Sequence, residues 1–411
     1  MELLPRNRYL DLLTSFYGSD LIRIVTGLRR SGKKTLLLLY TEWLIKNKAI
    51  KKKNIVLINF ESPESSKLRD SEALYKFVIE TSAKNSAKLF LLFNEIQNVR
   101  DWEKTINSLR VDCDCEIVLT SSTAKLLSGE LATLLSGRYV EIEMFPLSLD
   151  EFKKFRPDNS EDIHVSFDAY KKYGGLPGIH ELQTSPQATM QYLNDIFNSI
   201  LLKDVVHENG IRDTELLYQI IKVIFENLGR TYSAKKISEL LKDQGLNLGM
   251  ETVYNYLDYL QNAFVISRVK RLDIKRRRYL DSGEKIYAAD IGFINSFPGF
   301  KCSKIEGILE NLVFLNLRQK GFQVSIGKVY ASEVDFVATK NGLRLYIQIC
   351  CHLTKTKLEE KVPALKKIRD NYPKLILTLS DFASGDLEGI LVRNLVDFLA
   401  EPKIRILLEE S

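Results

Sequence analysis

Residues that bind metals or cross-link chains are scarce, with four histidines and five cysteines in 411 residues. Five cysteines make no disulfide framework, and the pairs Cys113/Cys115 and Cys350/Cys351 lack the gap of roughly two to four residues that zinc chelation prefers. They read as small core or edge residues, the scattered histidines get the same reading, and no metal site is predicted from them. Long apolar runs are absent too. Thr35 to Tyr40 and Leu89 to Phe93 fall far short of the ~20 residues that a spanning helix needs. Met1 to Arg6 holds no basic segment followed by a long apolar one, so a secretory signal is not expected. The chain is expected to be cytoplasmic, with no membrane partner. Neither sign of charge dominates. Lys and Arg number 59 and Asp and Glu 53, leaving +6, so positive charge matters only where it is concentrated. What is present, 45% hydrophobic and 27% charged residues, is the composition of a folded chain and excludes wholesale disorder. At roughly 150 residues per domain the length suggests two to three domains.

From Leu21 to about Phe145, short apolar runs alternate with amphipathic stretches. The runs Leu21 to Val25, Asn54 to Phe60, Leu89 to Phe93, Glu116 to Thr120 and Tyr139 to Ile142 predict five strands. Helical periodicity over Lys34 to Asn47, Ser71 to Thr81 and Trp102 to Val111 predicts the crossovers of a parallel sheet covered on both faces. After Pro146-Leu147-Ser148 the pattern turns mostly helical to about Glu226, broken at Tyr173 to Gly178, and reads as a lid. Ser233 can cap a helix through Ile237, Leu240 and Leu241. A turn at Gln244 to Asn247 leads to a second helix, about Met250 to Gln261, which completes a helix-turn-helix pattern. The extended stretch Val265 to Tyr279 follows and concentrates charge in Lys270, Arg271, Lys275, Arg276, Arg277 and Arg278, against the single acid Asp273. A helix-turn-helix followed by a basic hairpin suggests a winged helix whose hairpin touches DNA phosphates. From about Lys304 an amphipathic helix and the strands Gln323 to Ile326, Glu333 to Val337 and Leu343 to Ile349 predict a third, α/β unit. In it Glu333 and Asp335 are expected on one strand face, with Val334 and Phe336 towards the core.

The strongest chemical signal is Gly27-Leu28-Arg29-Arg30-Ser31-Gly32-Lys33-Lys34-Thr35, between a predicted strand and a predicted helix. Glycines let backbone amides surround phosphates, the helix N-terminus favours negative charge, and Lys33 reaches the β and γ phosphates. This is a phosphate loop for ATP, with Gly27, Arg29, Arg30, Ser31, Gly32, Lys33, Lys34 and Thr35 around the nucleotide. The hydroxyl that holds Mg²⁺ belongs directly after the lysine, where Lys34 stands. Helical geometry turns Thr35 about 100° away from that position. At the end of the apolar strand Leu89 to Phe93, Asn94 occupies the place of the metal-binding acid. Both Mg²⁺ contacts are altered, so ATP is the expected cofactor and Mg²⁺ stays open. Lys34 is read as partly replacing the ion, or the site as decayed. Glu95 is in place to polarise an attacking water. Ser121, Ser122 and Thr123 are placed to sense the γ-phosphate. Arg138 is a candidate arginine finger, acting within the chain or on a neighbour.

These residues together resemble the prokaryotic AAA-type ATPases whose nucleotide module is followed by a domain of unknown function. The resemblance is carried by Thr26 to Lys33, Ile58-Asn59-Phe60-Glu61, Asn94-Glu95-Ile96-Gln97-Asn98, Lys125 to Glu130, Gly137-Arg138-Tyr139, Pro146-Leu147-Ser148, Tyr173 to Pro177, Leu201 to Val205, Lys285 to Asp290 and Glu310 to Phe314. It implies an α/β fold: an AAA-type module (1–148), a helical lid (149–230), a winged-helix module (231–300) and a C-terminal domain (301–411) similar to the restriction-endonuclease-like fold. In that fold the metal site takes a helix Glu, a strand Asp, then an acid or Gln two residues before a Lys. The matching positions are Glu310, Asp335, Gln348 and Cys350, and because Cys350 cannot supply the lysine's charge the site reads as vestigial. The function implied is a nucleotide-dependent switch, with DNA, a protein partner or a second copy of the chain as its partner. A non-hydrolysing pseudo-ATPase and a metal-dependent nuclease are the alternatives.

Overall fold

In a computed structural model, which describes residues 4–127, 137–156, 162–182, 185–246, 248–280, 283–299, 305–380 and 385–404, the five apolar runs form five parallel strands. They are β1 (Ile22–Thr26), β2 (Ile55–Asn59), β3 (Leu89–Asn94), β4 (Cys115–Ser121) and β5 (Tyr139–Glu143), in the order β2-β3-β4-β1-β5. Side chains alternate along a strand, and both faces are apolar. Ile24, Leu91, Phe93, Ile117 and Leu119 pack with Leu74, Val78, Trp102 and Ile106 of the helices Ser71–Ala83 and Trp102–Asp112. Val25, Phe90, Leu92 and Val118 pack with Leu36, Leu37 and Tyr40 of the helix Lys33–Lys48 and Leu13 of the helix Asn7–Ser15. A buried ion pair interrupts this core. The Arg23 guanidinium donates to Glu116 at 2.8 Å and to the Tyr40 hydroxyl at 2.7 Å, so the buried charge is paired and bonded. Of the motifs quoted above, Ser128, Gly129, Glu130, Asn247 and Lys304 lie outside the described residues.

The chain divides into two units, Met1–Phe145 with Asn262–Phe264, and Pro146–Gln261 with Val265–Ser411. The second unit opens with the helix Leu149–Phe155, whose start is fixed by a reciprocal Ser148/Glu151 capping box. The helices Ile163–Tyr173, Pro186–Ile200 and Thr214–Glu226 follow. At the glycine break, Gly174 has φ +74, and a β-carbon there would sit 1.8 Å from Asp290 Oδ1. The Asp290 carboxylate accepts from the backbone of Gly175 and Gly292. The position therefore tolerates only glycine.

Next come β6 (Thr231–Tyr232), the helix Ala234–Asp243 capped by Ser233 as expected, and the helix Met250–Asn262. The strands β7 (Ile266–Val269), β8 (Arg271–Asp273), β9 (Arg278–Tyr279) and β10 (Glu284–Ala288) follow. Antiparallel pairing orders one small sheet β6-β10-β7. The basic hairpin β8–β9 instead joins the edge of a larger sheet. That sheet holds β11 (Gln323–Val329), β12 (Ser332–Lys340), β13 (Leu343–Cys350), β14 (Lys374–Thr378), β15 (Gly385–Asp386) and β16 (Leu391–Asn394), in the order β15-β16-β14-β13-β12-β11-β8-β9. The helix Ile305–Gln319, almost wholly buried, packs with it.

One expectation fails here. The β11–β12 register shifts at a bulge opposite Ser325/Gly327. Val334 packs with Val337 and Val362, whereas the Phe336 ring lies near those of Tyr287 and Phe314. The extra residue reverses the phase of alternation, so Val334 and Phe336 do not share one core.

Candidate functional site

The loop after β1 carries the geometry of its sequence. Gly27 has φ +136, and a β-carbon on it would come within 2.2 Å of the Met144 carbonyl oxygen. Gly32, at φ +104, starts the helix Lys33–Lys48, and Arg30 at φ +69 completes the reversal. Backbone amides at a helix N-terminus suit a phosphate anion. The buried Ser31 hydroxyl has no hydrogen-bond partner among the described residues, which also fits a phosphate oxygen. Lys33, 3% exposed, donates to the carbonyls of Gly27 at 2.8 Å and Leu28 at 3.1 Å, and lies 3.4 Å from Glu95 Oε1. Lys34 is exposed and Thr35 half-buried. Arg29 pairs with Glu61 beyond β2.

Glu95 follows β3 in the left-handed region, φ +57, a turn that aims its carboxylate along β4. Oε2 accepts from the Ser122 amide at 3.1 Å, the Ser122 hydroxyl at 2.8 Å and Gln97 Nε2 at 2.6 Å. Burial pushes its pKa up, but Lys33, Gln97 and Ser122 outweigh that and hold it below the ordinary carboxylate value. The neighbouring Asn94 donates to Asn59 Oδ1 at 2.7 Å and accepts from the Thr120 hydroxyl at 2.9 Å.

Among the hydroxyls after β4, Ser122 meets Glu95. Ser121 and Thr123 bond each other in a turn instead. Arg138 stands where β5 begins, its carbonyl accepting from Ile22 at the start of β1. It is separated from the phosphate loop by the length of five-residue strands, about 16 Å. Sequence reasoning missed Arg6, which is buried and donates to the Ser31 and Phe145 carbonyls. It missed Thr120, and it quoted Asn59 and Gln97 only within the stretches that carry the resemblance, without the roles they take here.

The second unit brings Glu310, Asp335 and Gln348 into one buried cluster, with partners that were not foreseen. Lys285 on β10 lies 2.7 Å from Glu310 and 2.9 Å from Glu333. Tyr287 donates to Glu310 at 2.5 Å. Lys361 lies 2.9 Å from Asp335, which also accepts from the Ile349 amide. Gln348 donates to the Glu333 carbonyl, while its own Oε1 has no hydrogen-bond partner among the described residues. Burial, reinforced by the Asp335 charge against the pull of Lys285, pushes Glu310 up to about 7. For Lys285, burial is outweighed by Glu310, Asp335 and Glu333, so its pKa is raised and the ammonium stays charged. The Cys350 thiol meets the His352 carbonyl. Among the described residues no group of three or more His, Cys, Asp or Glu is arranged to hold a metal ion. The alternation of Lys285 and Tyr287 along β10 was the one available signal.

Of the basic candidates, Lys270, Lys275, Arg276, Arg277 and Arg278 are exposed and Arg271 is half-buried. Among the described residues no helix is long and apolar enough to cross a membrane.

Comparison with known proteins agrees with the geometry. Residues 19–153 match the AAA domain family, and residues 165–304 match a domain of unknown function (DUF8612). The chain is similar in fold to the Walker-type ATPase PABY2304 of Pyrococcus abyssi, with 15% identity, 72% of this chain and 96% of that one covered, and a TM-score of 0.50. It is 36% identical to an uncharacterized protein of Haemophilus influenzae over 97% of this chain and 99% of the relative. It is 32% identical to the uncharacterized protein MJ1544 of Methanocaldococcus jannaschii, over 88% of this chain and 82% of the relative. The chain belongs to one family with these two proteins, and it carries an AAA-type P-loop ATPase module followed by a domain of unknown function.

Proposed function

We propose that this protein is an ATP-dependent switch whose output is the DNA- or protein-binding state of its second unit. The observation that carries the reading is the 3.4 Å contact between Lys33 and Glu95, which joins the phosphate loop to Ser122 on the far side of the carboxylate. Gly27, Ser31, Gly32 and Lys33 are the residues that would hold the phosphates. Bound ATP supplies the anionic charge there. Lys33 is the group able to exchange partners, and its withdrawal leaves Glu95 held by Ser122 and Gln97 alone. The donor set does not fit Mg²⁺. An exposed ammonium stands at the hydroxyl position, and the acid position holds an amide already bonded to Asn59 and Thr120. Lys34 supplies part of the neutralising charge in place of the ion.

Calorimetric titration with ATP, with and without Mg²⁺, tests this. The expected result is binding that ignores Mg²⁺ and shows no slow heat of turnover. Mg²⁺-dependent binding with turnover that falls in Glu95→Gln would make the protein an ATPase. Absence of binding would make the first unit a scaffold.

The order of elements in the middle of the chain supports a winged-helix module. The helix Thr214–Glu226, β6, two further helices and a β7–β10 pair flanking a hairpin follow one another, with sheet order β6-β10-β7. The basic hairpin is its DNA-contact element. The C-terminal domain is read as a nuclease-like scaffold without the nuclease, because Lys285 and Lys361 place ammonium groups on the carboxylates that metal ions would need. The proposed divisions remain 1–148, 149–230, 231–300 and 301–411.

A further inference from the structure

The helix that would enter a major groove is ill suited to one. Met250–Asn262 contains no lysine or arginine, and its exposed positions include Glu251 and Asp258. Carboxylates facing phosphates repel them. The nearby Arg268 is neutralised by Asp258 and Glu284. Positive charge sits instead at the hairpin tip, where, among the described residues, no carboxylate forms an ion pair with Lys275, Arg276, Arg277 or Arg278.

That tip is rigid. β8 pairs with β11 through Arg271↔Ile326 to Asp273↔Lys328. The Ile274 amide donates to the Lys328 carbonyl, and its side chain is buried in the core beneath. Asp273 Oδ1 accepts from the Arg276 amide. Two tyrosines flank the charges, each 57% exposed. Tyr279 on β9 reaches across β8 until its hydroxyl lies 3.4 Å from that of Ser325 on β11. Tyr330 occupies the β11–β12 turn with Lys275 4.9 Å above its ring. Its φ is +54, a left-handed position where glycine or asparagine is the ordinary choice.

We infer that this tip is a platform for a single strand of nucleic acid, with Lys275, Arg276, Arg277 and Arg278 on its phosphates and with the Tyr279 ring and the face of Tyr330 opposite Lys275 on its bases. The inference rests on the reading of the hairpin as a nucleic-acid contact and changes its ligand from a duplex to an unpaired strand. A duplex hides its base faces, so exposed rings beside cations gain nothing from it. Every unpaired base offers a face to stack on, and each ring contributes about tenfold in affinity. Because ring faces do not distinguish bases, the platform is tolerant of sequence.

The test is fluorescence anisotropy of the full chain with a labelled oligo-dT strand, an oligo-U strand and a DNA duplex of equal length. The single strands are expected to bind about tenfold or more tightly than the duplex. Tyr279→Ala with Tyr330→Ala should lose about a hundredfold on the strands and little on the duplex. Tyr279→Phe with Tyr330→Phe should retain strand affinity, which separates stacking from damage to the fold. Arg276→Ala with Arg277→Ala and Arg278→Ala should weaken every ligand and flatten the salt dependence. A preference for oligo-dT or oligo-U assigns the sugar. Duplex binding as tight as strand binding, or strand binding untouched by the alanine pair, overturns the platform while leaving a phosphate contact standing. Absence of binding to all three overturns the nucleic-acid reading itself.

Discussion

Both units hold a lysine against a carboxylate away from water, and the two arrangements differ in what they leave movable. In the first, Lys33 meets Glu95 at 3.4 Å and spends its remaining donors on loop carbonyls, while Ser122 and Gln97 satisfy the carboxylate without it. In the second, Lys285 lies within 2.9 Å of two carboxylates, and among the described residues three acids, Glu310, Glu333 and Asp335, share two ammonium groups, Lys285 and Lys361. The cost of removing a buried charge depends on what is stranded afterwards. The first pair is therefore a latch and the second a plug.

The comparison breaks hardest at Lys285. Lys285→Met leaves Glu310 and Glu333 uncompensated and should cost about 3–5 kcal/mol, read as a loss of urea resistance in the second unit. Millimolar Mn²⁺ should restore part of that stability in the variant and far less in the wild type, where the Lys285 ammonium stands between Glu310 and Glu333. If Mn²⁺ stabilises both equally, the plug reading fails. Lys33→Met should cost only about 1 kcal/mol, because the Glu95 carboxylate keeps three hydrogen bonds, yet it should abolish the heat of ATP binding. A stability loss as large as that of Lys285→Met would show that Lys33 is structural and not a latch.

The two sites were unequally legible in the sequence. The strand–loop–helix around Gly27 and Lys33 is contiguous, so periodicity and turn chemistry located it, and all five strands of the sheet fell within a residue or two of their apolar runs. The departures at Lys34 and Asn94 were likewise visible as wrong residue types at fixed offsets. Its supports were not, since Asn59 and Thr120 reach the site by the order of parallel strands, which no local pattern encodes, and the bond from Gln97 depends on the left-handed turn at Glu95. In the second unit Glu310, Asp335 and Gln348 were found by resemblance, but their cations were not. Lys285 comes from a strand 25 residues before Glu310, and Lys361 from a helix 26 residues after Asp335. The bulge at β12 defeated the alternation rule, because one inserted residue exchanges the faces of Val334 and Phe336. The hairpin's charge was plain, but the tyrosine that Lys275 meets is distant in sequence and carried no signal.

The smallest expected effect is also the most selective, because pH acts on the two carboxylates in opposite directions. Glu95 has a lowered pKa in the folded state. Its contribution is present above the unfolded carboxylate value and lost as pH falls through the folded one. Glu310 is raised from 4.5 to about 7. Between those values the folded chain holds a proton that the unfolded chain has released. Its contribution is therefore complete below the unfolded value and lost as pH rises towards 7. Raising the pH from 5 to 7.5 should weaken protection of the helix Ile305–Gln319 from hydrogen–deuterium exchange, after correction for intrinsic rates, and leave β3 through Gln97 unchanged. The extra proton in the second unit follows from the burial of Glu310, reinforced by the Asp335 charge, so Glu310→Gln should remove the pH dependence of that helix while preserving its hydrogen bond from Tyr287. If protection falls equally in both segments, or persists in Glu310→Gln, the cluster carries no surplus negative charge and the contrast between latch and plug must rest on geometry alone.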